Sequence, residues 1–276
     1  NLKNMNAVMK ELDACIGDDG TMDFGRTGKK LGLHEFFLDW QTDGTKDAVT
    51  GTALLILYAA RIFGETAKDS ACGATICSIE RKLSRYLCEE TAKKQIAAFQ
   101  ALCGKPSDGL KRLLEKDGAS GFSTFMSYFI LKALIVSGSD RTVDYIKEYY
   151  GGMIGRGATT FWEDFDISWL DGSGRIDEIP APDKKDLHAD YGQFCYKGLR
   201  HSLCHGWSSG VLPFFIEEIV GLKILEPGFK KVAVRPNPGS LKYISAKIPS
   251  PHGMINIEVK NGSSKVVVPD GITLVK

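Results

Sequence analysis

Apolar residues recur at helical spacing along most of the chain, from Leu2 to about Gly221. Spacings of three and four residues place apolar side chains on one face of a helix. This spacing is clearest over residues 48–63, 76–87, 92–102, 123–136 and 143–150. Glycine, in one case with a nearby proline, follows most of these stretches, as is typical where helices end. The pattern predicts a mainly helical domain over residues 1–226.

The pattern changes after residue 226 to short runs in which apolar and polar residues alternate. These runs cover residues 231–235, 243–248, 254–259, 265–268 and 272–275. Asn261-Gly262 stands between two of them, and this dipeptide is a strong hairpin signal. We therefore expect a small antiparallel β domain over residues 227–276. About 50 residues make a thin core, so the strands should lean on the helical part.

Composition excludes several classes of protein. The 276 residues are 43% hydrophobic and 25% charged, and 35 basic against 34 acidic side chains leave a net charge of +1. Disordered chains have fewer apolar residues and more net charge. A charge this small provides no long-range attraction to nucleic acid or to an anionic membrane, so neither partner is expected. The longest apolar run, near residues 53–60, is shorter than the roughly 20 residues of a membrane span.

The seven cysteines are an odd number, and most of them lie in helix-like apolar patterns. This arrangement favours free buried thiols and a reducing compartment, so we expect a cytoplasmic location. The sequence begins at Asn1 without the succession of residues that marks a secretion signal, and any export signal would lie upstream of Asn1.

The first candidate for chemistry is the stretch from Gly155 to Glu163, in which small residues precede Phe161, Trp162 and a carboxylate. Desolvation by neighbouring rings raises the proton affinity of a carboxylate, which suits acid or base catalysis. Aromatic rings also stack on the faces of sugars. The alternative is a packed turn that carries a solvated glutamate.

The second candidate is the stretch from His201 to Gly210, which contains Cys204, His205 and Trp207. His201, Cys204 and His205 are possible zinc ligands in type, but a structural zinc site needs a fourth ligand and usually a second spaced pair. We therefore predict no metal and no other cofactor. A histidine that donates beside Trp207 fits a site for sugar hydroxyl groups better.

The third candidate is Asp39-Trp40, in an acidic and aromatic loop before the helix that starts near Asp47. A carboxylate can accept from a hydroxyl group while the neighbouring ring stacks on a sugar. The alternative is that Asp43 or Asp47 caps the helix and that Trp40 is a core residue. Sequence motifs of kinases, dehydrogenases and zinc proteases are absent.

Taken in order, these stretches resemble the later half of bacterial α-L-rhamnosidases of glycoside hydrolase family 78. The similarity extends from about Phe37 to Asn261, with its strongest points at GATTFWE (residues 157–163), HSLCHGWSSG (residues 201–210) and the PGFKKV tail that begins at Pro227. The resemblance implies part of an (α/α)6 toroid followed by a small antiparallel β-sandwich.

The resemblance also implies site roles. Glu163 matches the family's general base, and His205 matches a histidine that contacts the bound sugar. Asp39 and Trp40 match residues at the mouth of the toroid, and Trp162 and Trp207 would be neighbours of that pocket. We therefore expect these four residues, with His205, to bind the substrate. Such enzymes invert the anomeric centre of terminal α-L-rhamnosides, so the expected ligand is a rhamnose-containing oligosaccharide or glycoside.

The chain departs from the family in one respect: no match to the general acid is found between Asn1 and Trp40. We therefore expect this chain to be a C-terminal portion that is nearly inactive alone and that needs the missing N-terminal half or self-association to cover its helix faces. Activity in the chain alone would assign the acid to Asp164 or Asp166. The alternatives are a non-catalytic carbohydrate-binding remnant, or another (α/α)6 enzyme such as a polysaccharide lyase that uses Tyr191, His188 and His201.

Overall fold

The computed structural model describes residues 2–22, 25, 29, 36–42, 44–67, 70–179, 183 and 202–275. Two compact units share the chain. The first comprises Asn1–Lys116 and Gly121–Ser137, and the second comprises Asp117–Ser120 and Gly138–Lys276.

The described part of the first unit is helical. Its α-helices are α1 (Leu2–Cys15), α2 (Thr45–Ala67), α3 (Ser70–Leu83), α4 (Lys94–Cys103), α5 (Asp108–Glu115) and α6 (Ser127–Val136), and a 3-10 helix over Ser84–Cys88 follows α3. Helix α5 begins where the side chain of Ser107 accepts a hydrogen bond from Leu110 N at 3.2 Å, which satisfies an otherwise unpaired amide of the first turn.

Helix α2 forms the centre of the first unit. Ala53, Leu54, Leu57 and Ala60 follow the spacing of one helix face, and all four are fully buried. By length and composition α2 is also sufficient to cross a membrane, with a mean hydropathy of 1.3 over an 18-residue window within residues 46–67. The core helix of a globular protein passes the same test, and 44% of this window is buried inside the fold.

Two buried polar side chains of the first unit, Gln100 and Lys82, connect its segments. Gln100 Nε2 donates to the carbonyls of Tyr86 at 3.2 Å and Glu89 at 2.8 Å, which fixes the chain that follows the 3-10 helix. The buried ammonium group of Lys82 lies 2.9 Å from Asp13 Oδ1, and so joins α3 to α1. These buried polar contacts specify how the helices pack, because a buried donor without a partner costs stability.

The helical part of the second unit is built on α7 (Thr142–Gly155). It continues with 3-10 helices over Ile167–Gly172 and Gly206–Gly210, with α8 (Val211–Phe214) and with one π-helical turn over Phe215–Ile219. Tyr149 is buried on α7 and donates from its hydroxyl to Phe165 O at 2.6 Å. Glu148 accepts from Ala119 N at 2.9 Å, which ties residues 117–120 to this helix.

Two three-stranded sheets close the chain. The strands are β1 (Leu222–Glu226), β2 (Lys231–Val234), β3 (Tyr243–Ser250), β4 (Gly253–Lys260), β5 (Ser263–Val267) and β6 (Thr273–Val275). Strand β2 pairs antiparallel with β1 and parallel with β6, whereas β3, β4 and β5 form an antiparallel meander. Asn261 and Gly262, at φ 49° and 77°, turn the chain between β4 and β5, as the Asn-Gly signal predicts.

The predicted fold class, mainly α with a small β part, is confirmed. All five predicted helices and all five predicted strands are present, with ends that differ by a few residues. Two details differ. The first sheet is mixed, because β6 joins β2 in parallel, and it includes β1, which lies before the predicted domain boundary at residue 226. Residues 222–226 belong to the sheet because they pair with β2, a non-local contact that helical spacing does not reveal.

Candidate functional site

Two segments of the second unit lie side by side and contain four of the six predicted site residues. Glu163 N donates to Ser202 O at 2.8 Å, and His205 N donates to Phe161 O at 2.7 Å. These bonds join the end of the first candidate stretch to the second one, about 40 positions later in the sequence. The residues brought together are Trp162, Glu163, His205 and Trp207.

The side chain of Glu163 is fixed by the same pairing. Its Oε2 accepts from Ser202 N at 2.8 Å, so Glu163 and Ser202 exchange two hydrogen bonds. A bond from an amide to a carboxylate is charge-assisted and orients the acceptor strongly. Glu163 is half-buried, and its carboxylate is therefore both oriented and partly accessible. An oriented, partly exposed carboxylate is the arrangement that acid or base catalysis requires.

Trp207 and His205 follow on the second segment. The indole Nε1 of Trp207 donates to Glu163 O at 2.7 Å, and its ring meets the ring of His205 edge-on, with centroids 5.2 Å apart. Both side chains are half-buried. Their rings thus form a partly exposed surface beside Glu163. The predicted contacts themselves stay predictions.

Trp162 takes a different position from its neighbours. Its side chain is fully buried, and its ring meets Phe165 edge-on at a centroid distance of 5.9 Å. The buried hydroxyl of Ser208 donates to Trp162 O. Trp162 is thus part of the core behind Glu163. Its predicted role as a substrate-binding residue stays a prediction, and its burial favours a supporting role for the ring.

Gly157 explains why small residues precede the aromatic pair. It lies at φ +90°, and a Cβ atom at this position would stand 2.9 Å from Asp177 Oδ1 and 3.2 Å from Ile176 Cγ1. The backbone at Gly157 therefore lies close to the loop at residues 176–177. The same loop is bonded to the end of α7, because Ile176 N donates to Arg156 O at 2.9 Å.

Asp39 and Trp40 belong to the first unit. Asp39 is 1% exposed and accepts hydrogen bonds from Gln41 N and Thr42 N, both at 3.1 Å, and from the hydroxyl of Ser123. Burial raises the pKa of the Asp39 carboxyl, although these hydrogen bonds oppose the rise. The carboxyl therefore holds a turn in place, and its predicted sugar contact stays a prediction.

Trp40 lies beside this turn and is half-buried. Its ring meets Phe37 edge-on, with centroids 5.1 Å apart. A partly exposed ring next to the 46%-exposed side chain of Phe37 leaves aromatic surface accessible, which agrees with the predicted role at a binding surface as well as with packing.

Asp164 and Asp166, the alternative acids, both have structural contacts. Asp164 is 2% exposed, and its Oδ1 accepts from Phe165 N at 2.8 Å. Asp166 caps the 3-10 helix that follows, since its Oδ1 accepts from Ser168 N at 2.8 Å. Both residues contribute to the local fold, and neither interaction favours a role as the acid.

Several alternatives involve residues that lie outside the described part of the chain. His201, needed for the zinc hypothesis, is one of them, as are His188 and Tyr191 of the lyase hypothesis. Cys204 is exposed. Among the described residues, no group of three histidine, cysteine, aspartate or glutamate side chains has the proximity that a metal ion needs.

Sequence reasoning missed one feature of the second unit, an apolar cavity of about 540 Å³. Ile146, Tyr150 and Ile154 of α7 form one wall of it, and Phe161 and Val211 contribute to others. Its volume is within the range of small-molecule sites. Apolar residues on more than one face of α7 were the available sequence signal, because a helix that packs against one neighbour needs only one apolar stripe.

Sequence reasoning also missed Ser202 and Ser208, whose bonds hold residues 162–163. Their signal is weak, because serine is common in turns and its partner is identified only by the fold.

Comparisons with known proteins relate the fold of this chain to one family. Residues 221–273 match the family model described as the bacterial alpha-L-rhamnosidase C-terminal domain. A comparison with curated protein sequences gives no match.

Several solved structures similar to this chain are rhamnosidases. The family 78 rhamnosidase of Bacillus sp. GL1 has a TM-score of 0.65 and 20% identity, over 100% of this chain and 31% of its own. The Streptomyces avermitilis α-L-rhamnosidase, crystallised with L-rhamnose, has a TM-score of 0.61 and 16% identity, over 88% of this chain and 24% of its own. The Aspergillus terreus α-L-rhamnosidase has a TM-score of 0.57 and 16% identity, over 87% of this chain and 28% of its own.

These likenesses confirm the resemblance found in the sequence. The chain has the fold of part of the family 78 rhamnosidases, and its last residues match their C-terminal domain. The chain spans less than a third of the length of each of these solved structures.

Proposed function

We propose that this chain is the later part of a glycoside hydrolase that removes terminal α-L-rhamnose, with Glu163 as its general base. The observation that carries the proposal is the geometry of Glu163: a half-buried carboxylate, oriented by a 2.8 Å bond from Ser202 N and adjoined by His205 and Trp207. The likeness to rhamnosidases supports rhamnose as the sugar.

The proposed reaction is a single displacement with inversion. Glu163 takes a proton from a water molecule as the water oxygen bonds to the anomeric carbon. The bond from this carbon to the glycosidic oxygen breaks, and a carboxylic acid on the opposite side protonates the departing oxygen. The two carboxyl groups of inverting enzymes are about 6.5–9.5 Å apart, which leaves room for the water.

The acid belongs, in this proposal, to a polypeptide segment other than this chain. Asp164 is buried and Asp166 caps a 3-10 helix, so the nearest carboxyl groups after Glu163 have other contacts. General acids contribute about 100 to 10,000-fold to such rates, and the chain alone is expected to have little activity. The acid would come from a part of the enzyme upstream of this chain. We also propose a cytoplasmic location, which the six free cysteines among the described residues support.

Hydrolysis of an aryl α-L-rhamnoside tests this function. The chain is compared with a longer polypeptide that adds the upstream sequence of its gene. Both are measured with and without the Glu163→Gln substitution. Glu178→Gln is the matched control, because Glu178 lies in the same unit and pairs with Arg175 at the surface. The proposal is supported if the longer protein hydrolyses the rhamnoside, if Glu163→Gln abolishes this turnover, and if Glu178→Gln preserves it.

Other outcomes separate the alternatives. Absence of turnover in both forms, together with rhamnose binding in equilibrium titration, would instead indicate a carbohydrate-binding remnant. Turnover by the short chain at the rate of the longer protein would place the general acid within residues 1–276.

A further inference from the structure

We infer that Trp207 and Ser208 are positioning residues, whose side chains hold the backbone of residues 162–163 and thereby aim the Glu163 carboxylate. This inference rests on the proposed function, in which Glu163 is the base. It departs from the sequence-based expectation that Trp207 serves the sugar directly.

The first support is a run of three consecutive carbonyl groups that accept from one short segment. Phe161 O accepts from His205 N at 2.7 Å, Trp162 O accepts from the Ser208 hydroxyl, and Glu163 O accepts from Trp207 Nε1 at 2.7 Å. Two of the three donors are side chains, so these two bonds depend on the identity of the residue. Substitution at residues 207 and 208 can therefore remove them without altering any backbone donor.

The second support is the position of the two donors. Ser208 is fully buried, and it stands in the 3-10 helix over Gly206–Gly210 immediately after Trp207. The helix is itself tied to the residue that precedes it, because Ser208 N donates to His205 O at 3.2 Å. A buried donor on a short, internally bonded helix has few alternative conformations. It is therefore suited to fixing the carbonyl that it meets.

The third support is the direction of the bond that the carboxylate makes. Ser202 N donates to Glu163 Oε2 while Glu163 N donates to Ser202 O, so the carboxylate and the Glu163 backbone are held by the same residue. Bonds at Trp162 O and Glu163 O restrict the two peptide groups on either side of the Glu163 α-carbon. Misplacement of a reacting group by about 1 Å is enough to cost roughly 100-fold in rate, so such restriction matters for catalysis.

The test uses the chain as it is and needs no turnover. The amide proton of Ser202 is followed by NMR as the pH is lowered, since an amide that donates to a carboxylate moves upfield when the carboxylate takes a proton. Glu163→Gln must remove this response, which establishes that the amide reports on Glu163. Trp207→Phe keeps a ring and removes the indole N–H, while Ser208→Ala removes only the hydroxyl.

We expect Trp207→Phe and Ser208→Ala each to reduce the pH-dependent shift of the Ser202 amide by at least about half. Ser209→Ala is the matched control, since the Ser209 hydroxyl donates to Gly206 O at 2.7 Å, within its own helix. It should keep the wild-type response. Full response in both Trp207→Phe and Ser208→Ala would overturn the inference. If Ser208→Ala does not fold, as judged by circular dichroism, Trp207→Phe decides alone.

Kinetics of the longer, turnover-competent protein give a second readout. Trp207→Phe should lower kcat by about 10 to 100-fold with KM within about twofold, as expected when orientation is lost while binding is kept. A rise in KM at constant kcat would contradict the inference and make Trp207 a sugar platform. If no rhamnoside is hydrolysed, the hydrolase proposal fails, and the amide response still decides whether these residues position Glu163.

Discussion

Glu163 and Ser202 bind each other twice, once through the backbone and once through the Glu163 side chain. Glu163 N donates to Ser202 O, and Ser202 N donates to Glu163 Oε2, both at 2.8 Å. A carboxylate held by a backbone amide is oriented independently of the type of side chain at its partner. The orientation of Glu163 therefore depends on the backbone amide of residue 202 and not on its hydroxyl group.

Replacement of Ser202 by proline should impair the site, whereas replacement by alanine should not. Proline removes the donating N–H, and hydrogen bonds to charged groups contribute about 1.5–3 kcal/mol. In a turnover-competent form, Ser202→Pro should lower kcat about 10 to 100-fold. Ser202→Ala keeps the amide and should stay within about threefold of wild type in the same rhamnoside assay. Equal losses in both variants would contradict this account, as would none in either.

Asp39 should make stability depend on pH. Burial raises its folded pKa above the usual 3.8, so the folded state binds its proton more tightly than the unfolded state does. The stability that this provides is fully present below the unfolded pKa and is lost as the pH rises through the folded pKa. Asp39→Asn should therefore gain stability relative to wild type as the pH rises from about 3 to 7.

Urea unfolding of wild type and Asp39→Asn at several pH values measures this difference. The exposed Asp18→Asn substitution is the control and should leave the pH dependence as it is in wild type. A constant difference between wild type and Asp39→Asn over the whole range would show that the carboxyl ionises equally well in both states.

The extent to which sequence predicts this structure differs between the fold and the site. Helix α2 was predictable because Ala53, Leu54 and Leu57 show its buried face locally. Strand β1 was missed because Leu222, Ile224 and Leu225 continue the apolar helical pattern, and only pairing with β2 makes them a strand.

At the site, motifs predicted candidate residues and left their contacts open. The sequence gives no means to see that Trp207 Nε1 meets Glu163 O, 44 positions away, or that the ring of Trp162 is buried. Both follow from the way in which residues 160–163 and 202–208 meet. Such contacts depend on packing between distant segments, which local propensity does not specify.

The ion pair between Lys82 and Asp13 should be a major contributor to the stability of the first unit. The side chain of Lys82 is 8% exposed, and its Nζ lies 2.9 Å from Asp13 Oδ1. Loss of the carboxylate leaves a buried ammonium group without its counter-ion, and Asp13→Ala should cost about 3 kcal/mol. Glu80→Ala is the comparison, because the Arg61–Glu80 pair is 33% and 39% exposed and should contribute less than about 1 kcal/mol. Similar costs in urea unfolding would contradict the role of burial.

The apolar cavity of the second unit should bind a hydrophobic dye. Ile154 lines the cavity and is 66% exposed, and Leu212 beside Val211 is 54% exposed. Exposed apolar surface of this kind binds anilinonaphthalene sulfonate. Ile154→Lys should reduce the dye fluorescence by at least about half and change stability by less than about 0.5 kcal/mol. The control is Met254→Lys, at a similarly exposed position on β4, which should leave the fluorescence unchanged.

The free thiols should divide into two classes when the native protein is treated with a maleimide. Cys77, Cys88 and Cys204 are exposed, whereas Cys15, Cys72 and Cys103 are buried. Burial raises the pKa of Cys103 to about 12, so its reactive thiolate is scarce at neutral pH, and its Sγ faces Leu54 O at 3.8 Å. Peptide mass spectrometry should find the exposed class modified within minutes and the buried class only after unfolding in urea. Modification of Cys103 as fast as that of Cys88 in the native protein would mean that α4 does not hold this thiol in the core.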